Sequence, residues 1–139
     1  NKEQELAAVK DELVALLEAG VHYNEIVIAA RTRDSENDFR NYLHQNGIPY
    51  VDKHLLNSKN EGIRIATFHG LKGLEFKHVF LVDVNDRTFP KLPFDYASLS
   101  DIEKSQNLKK EKSLFYVAAS RAVQQLTISG VGIKSNLLK

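Results

Sequence analysis

The sequence predicts an α/β domain built on a largely parallel sheet with helices on both faces. Three short runs rich in Ile and Val carry that expectation: "EIVIAA" (25–30), "IRIATF" (63–68) and "HVFLVDV" (78–84). Each is almost continuously apolar rather than alternating, as in strands covered on both sides. Segments with helical spacing fall between or around the runs, and strands alternating with helices build parallel sheets. A chain of 139 residues suits one such domain.

The elements follow in order. Residues 2 to 19 predict an amphipathic helix, because Leu6, Val9, Leu13 and Leu16/Leu17 recur at spacings of three and four. Gly20 is placed to stop it. The strand at 25–30 leads into "RTRDSEND", where Asp34 or Ser35 can cap a helix carrying Phe39, Tyr42 and Leu43 on one side. That helix ends near Asn46–Gly47. "IPYV" (48–51) predicts a second short strand, and Pro49 puts it at an edge or at its own beginning. Two further strands come from the runs above. The segment 85–103 is expected to be irregular, with two prolines and a capping box at Ser100 and Glu103. A helix is expected over about 104 to 122, and "QLTIS" (125–129) as a closing strand before Gly130.

Composition excludes several classes. Hydrophobic residues make up 42% and charged residues 27%, which is ordinary for a globular chain, and the net charge of +1 neither requires nor forbids a nucleic-acid partner. With no cysteine, disulfides, zinc–thiolate sites and thiol chemistry are excluded. No apolar run approaches the ~18 residues of a membrane span. The opening "NKEQELAAVK" has no initiator Met and no signal-peptide core. The expectation is one domain over 1–139, with 1–20 as a leading helix, cut from a longer cytoplasmic chain.

In parallel sheets ligands collect beyond the carboxyl ends of the strands, so the loops after residues 30, 66 and 83 come first. "ATFHGLKGLEF" (66–76) sets Gly70 and Gly73 among a histidine, a lysine and a glutamate. It is not a phosphate loop: GxxxxGK[ST] is absent, and Gly130 to Ser135 imitates it only with the wrong lysine spacing. GxGxxG is absent too, and no two histidines are spaced as a metal pair. His22, His44 and His54 are expected at the surface, whereas His69 follows a strand directly and is a candidate ligand contact. Arg31 follows the 25–30 strand. It either serves a polyphosphate, to which a planar guanidinium donates several hydrogen bonds, or pairs with Asp34 or Glu36. Arg121 shares a helix face with Glu111, Leu114 and Ala118. A cation on that apolar face needs a partner, either an internal acid or an anionic ligand. Lys104, Lys109, Lys110 and Lys112 read as a solvated helix face.

Three segments, in order, resemble the second RecA-like domain of UvrD/Rep-type superfamily 1 helicases. "IRIATFHGLKGLEFKHVFLVDV" resembles motif V, with its T-x-H-x-x-KGLEF heart. "EKSLFYVAASRA" resembles motif VI, and "IVIAARTRDSENDFRNYLHQNGIPY" resembles motif IV with its helix. The likeness covers about 100 residues, from roughly 22 to 130.

The resemblance implies a RecA-like (P-loop NTPase-like) fold. It also implies an ATP-dependent DNA helicase whose nucleotide site, with its Mg²⁺ ligands, lies on a preceding RecA-like domain. Glu75 matches a glutamate that contacts the nucleotide's ribose. Arg31 and Arg121 match arginines that act as fingers on the γ-phosphate. Thr67 and His69 match positions that couple that site to single-stranded DNA. Lys72 and Gly73 belong to the same signature. Departures are Ala30 where a tyrosine is usual, Asn37 for an arginine, Ser120 for a threonine, and only "VDKHLLNSKNEG" where many relatives carry an inserted domain. The alternative class is a RecA-shaped module without enzyme activity, which binds a partner such as RNA polymerase or a nuclease subunit.

Overall fold

A computed structural model describes residues 2–51, 61–85 and 89–130. Five strands form one sheet: β1 (Ile26–Ala30), β2 (Tyr50–Val51), β3 (Ile63–Thr67), β4 (Phe76–Val82) and β5 (Ala122–Ile128). Their order is β2-β3-β1-β4-β5, and every pairing is parallel. The helices are α1 (Lys2–Glu18), α2 (Arg33–Gln45) and α3 (Asp101–Ala119). This is the parallel α/β class expected from the apolar runs.

Connection direction sets the two layers. The β1–α2–β2 crossover moves toward one edge of the sheet, and the β3-to-β4 and β4–α3–β5 crossovers move toward the other. Right-handed crossovers running in opposite directions cover opposite faces. One core accordingly packs α1 and α2 on Ile26, Ile28, Ile65 and Phe80, through Val9, Leu13, Phe39 and Leu43. The other packs α3 and the 68–75 crossover on Val27, Ala29, Val79 and Leu81. All five β1 residues are buried, because that strand is central and covered on both sides.

Some boundaries move. α2 starts at Arg33, with Thr32 rather than Asp34 or Ser35 as its cap: the Thr32 hydroxyl accepts from the Ser35 N–H at 3.2 Å. α3 begins three residues before the expected 104, since the Ser100–Glu103 capping box forms and opens the helix at Asp101. It ends at Ala119, and β5 starts at once at Ala122, earlier than expected. The turn before β4 contains Gly73 at φ +79°, a conformation that favours glycine. Gly130 is needed for space: a Cβ there would lie 2.4 Å from the Val84 carbonyl oxygen. The residues from 131 onward, including the phosphate-loop imitation, and His54 lie outside the described residues.

The irregular stretch is anchored better than its composition suggests. Phe89 is fully buried and stacks on Phe115 with ring centroids 5.0 Å apart, while Phe68 meets both edge-on. This aromatic trio ties the 89–91 segment to α3 and to the crossover after β3.

Candidate functional site

The candidate residues divide between the two edges of the sheet. At the carboxyl edge, the chain leaves β1 toward one side and β4 toward the other, which is the switch point where parallel sheets open a crevice. A cleft of about 700 Å³ lies there, lined by Arg31, Thr32 and Arg33 after β1, Thr67 at the end of β3, Asp83 after β4, and Lys91.

Arg31 does not pair with Asp34 or Glu36. Glu36 pairs with Arg40 at 2.5 Å. The Arg31 guanidinium instead grips Glu111 of α3: Nε donates to both carboxylate oxygens at 2.9 and 3.1 Å, and Nη2 donates at 2.8 Å. The Lys91 N–H also donates to Glu111. Sequence reading placed Glu111 on the apolar face of its helix, beside Arg121, and named no partner for it. Its true partner is 80 residues away, which no local periodicity reveals.

Asp83 closes the cleft's other wall at φ +56°. Its N–H donates to the buried Glu5 at 2.7 Å, Asn85 donates to its carboxylate at 3.0 Å, and Lys2 lies 3.3 Å away. Ser129 donates to Glu5 as well, at 2.7 Å. Glu5 thus turns the start of α1 into a clamp over the ends of β4 and β5. The amphipathic pattern of α1 gave no sign of it, because a lone glutamate on a helix reads as solvated. Of the charged groups lining the cleft, Arg31 is paired with Glu111, and Asp38 and Asp83 with Lys2.

His69 is exposed beside this edge. Partial burial pushes its pKa below the usual 6.5, and the Arg31 cation pushes the same way; Glu111 opposes and Lys91 adds to the lowering. With Phe68 and Lys72 it faces Ser113, Leu114 and Val117 of α3 across a small, mostly apolar pocket of about 240 Å³. His22 and His44 are exposed as expected, whereas His78 is buried in β4. Lys109, Lys110 and Lys112 are exposed, and Lys104 lies over the Tyr96 ring at 5.4 Å.

The amino edge holds Glu75 and Arg121. Glu75 immediately precedes β4 and is exposed; Arg121 immediately precedes β5. The Phe76 N–H donates to the Arg121 carbonyl at 2.9 Å, which brings the two residues side by side. The Arg121 side chain folds back, with Nε donating to the Val117 carbonyl at 3.2 Å. Among the described residues no carboxylate pairs with it. Of the two partners considered for this arginine, an internal acid is not found among the described residues, and Glu111 on the same face pairs with Arg31.

Arg31 meets α3 at Glu111, near the middle of the helix, and Arg121 follows its C-terminal end. Among the described residues, no three His, Cys, Asp or Glu side chains are grouped to hold a metal ion, and no helix is long and apolar enough to cross a membrane.

Fold and site together define a parallel α/β domain with candidate residues on two separate edges of its sheet. Comparison with known proteins is more specific. The UvrD-like helicase C-terminal domain family matches residues 51–131, more than half of the chain, and the chain belongs to that family. A probable DNA helicase of Mycoplasma pneumoniae is 33% identical over 108 residues, covering 65% of this chain and 19% of that protein. An ATP-dependent DNA helicase of Mycobacterium tuberculosis is 38% identical over 69 residues, covering 50% of this chain and 9% of that protein. The chain therefore spans less than a fifth of the length of these relatives. The crystal structure of the C-terminal domain of a possible DNA helicase from Lactobacillus plantarum superposes with a TM-score of 0.74 at 20% identity, covering 98% of this chain and 72% of that one. That likeness concerns the fold.

Proposed function

We propose that this domain is the second half of an ATP-driven DNA motor, completing a nucleotide site carried mainly by a preceding RecA-like domain of the same protein. The observation that carries the reading is the pairing of Glu75 with Arg121 at the amino edge. One is an exposed carboxylate, and the other is a guanidinium held only by a main-chain carbonyl. A ribose hydroxyl suits the first, and a phosphate suits the second. When bound, ATP with Mg²⁺ supplies the transferring phosphoryl group. The part left to this chain is positioned positive charge where negative charge spreads in the transition state. Arg121 can deliver it only when the two domains close, which links turnover to domain motion.

Arg31 is not assigned to the phosphate in this reading, because both donors facing α3 are committed to Glu111. With Thr67, His69 and Lys72 it belongs to the opposite side, where the proposed ligand is the backbone of single-stranded DNA. Lys72 and Gly73 serve mainly to shape the turn between the two sides. Single-strand tracks are held by backbone and stacking contacts more than by base reading.

In the full-length protein, Arg121→Ala is expected to lower ATP turnover by about 10³-fold or more while ATP still binds. Steady-state ATPase and equilibrium binding of an ATP analogue measure the two quantities, and unchanged turnover would remove Arg121 from the mechanism. Glu75→Ala is expected to weaken nucleotide binding about 5–10-fold, on the order of a lost hydrogen bond to a charged group. Wild-type affinity in that variant would refute the ribose contact.

A further inference from the structure

We infer that Glu111 is a positioning residue that couples the two edges of this domain, with α3 as the connecting strut. The inference rests on the motor reading above, and it adds a residue and a route that the motifs do not specify.

Glu111 lies within α3, is 4% exposed, and uses both carboxylate oxygens. Its donors come from two other parts of the chain: the Arg31 guanidinium at the end of β1 and the Lys91 main-chain N–H after the aromatic anchor Phe89. Arg31 and Lys91 both line the carboxyl-edge cleft. One carboxylate therefore holds one of the cleft's cations, Arg31, and the main chain that carries another, Lys91. A ligand that pulls on either one pulls on α3.

The far end of α3 presents Arg121. The helix runs unbroken from Asp101 to Ala119 with no glycine or proline, so it has no built-in hinge. Between Glu111 and Arg121, Leu114, Phe115 and Ala118 pack on the core of the same face. A tightly packed helix moves as a body or not at all. The route from cleft to amino edge is thus one contiguous element, with a charged tie at its middle and an arginine just past its C-terminal end. Stability alone does not call for such a tie, since a pair of apolar side chains can replace a buried ion pair with little loss.

The test uses the full-length protein. Affinity for a non-hydrolysable ATP analogue is measured with and without a saturating oligothymidine strand, and the ratio of the two dissociation constants is the coupling. In the natural protein the ratio is expected to be about five-fold or more. In Glu111→Gln, and in the double variant Arg31→Met/Glu111→Met, it is expected to fall to within about two-fold of unity. The double variant removes the whole buried pair and so preserves the fold. General loosening of the domain would change the separate affinities without erasing their ratio. A ratio unchanged in both variants overturns the role of Glu111 and leaves the motor reading intact. Loss in Glu111→Gln alone, with the double variant like the natural protein, traces the effect to a stranded Arg31 charge and also overturns it. A natural protein that binds both ligands without mutual effect, or binds neither, sinks the motor reading and this inference together.

Discussion

His69 shows how a residue's chemistry here is set by groups distant in sequence. Its imidazole is pushed toward the neutral form by partial burial and by Arg31. A histidine with a lowered folded pKa adds stability that is complete above the unfolded value of 6.5, and that is lost as pH falls through the folded value. An NMR titration should therefore place the His69 midpoint below 6.5. Arg31→Met should move it upward, because the repelling cation goes and Glu111 is left uncompensated. A midpoint at or above the ordinary value, or one that ignores the substitution, would contradict this account. At pH 7 His69 is then a neutral donor and acceptor, suited to a base or sugar rather than to a phosphate.

The elements differ in how openly the sequence announces them. Strands β1, β3 and β4 were legible because each is apolar throughout, and the Ser100–Glu103 capping box was legible because its chemistry is local. Replacing Ser100 with Ala should cost about 1 kcal/mol in chemical denaturation. What escaped was the non-local part. Phe89 sits in a proline-rich stretch that reads as a loop, yet it is fully buried in an aromatic trio. Phe89→Ala is expected to cost about 3–5 kcal/mol; a loss below that of Ser100→Ala would show the anchor to be incidental. The Arg31–Glu111 pair and the Glu5 clamp escaped for the same reason, as each joins residues about 80 positions apart. Motif resemblance singled out Arg31 and Arg121 individually, but only the sheet topology shows that one follows a strand at the carboxyl edge and the other precedes a strand at the amino edge.

Across the whole molecule, under the proposed motor reading, the two edges take different ligands and the triphosphate belongs to a preceding domain. Glu75 and Arg121 offer a carboxylate and a guanidinium but no loop of main-chain N–H groups for a triphosphate. The isolated 139-residue domain is therefore expected to show no ATPase activity above background in a phosphate-release assay. Activity that disappears with Arg121→Ala would overturn that expectation. The strand order has another consequence, for how the chain is made. The central strand β1 emerges from the ribosome first, but its two neighbours are residues 63–67 and 76–82. Until residues 63–67 are made, a wholly apolar strand has neither edge paired, and its second edge stays open until residues 76–82 follow. Such a stretch is the kind that nascent chains misassemble through. During that interval α1 and α2, both made or begun close to β1, are the only described elements able to cover it. The packing of Val9, Leu13, Phe39 and Leu43 would then shield the strand during synthesis before it forms one of the domain's two cores.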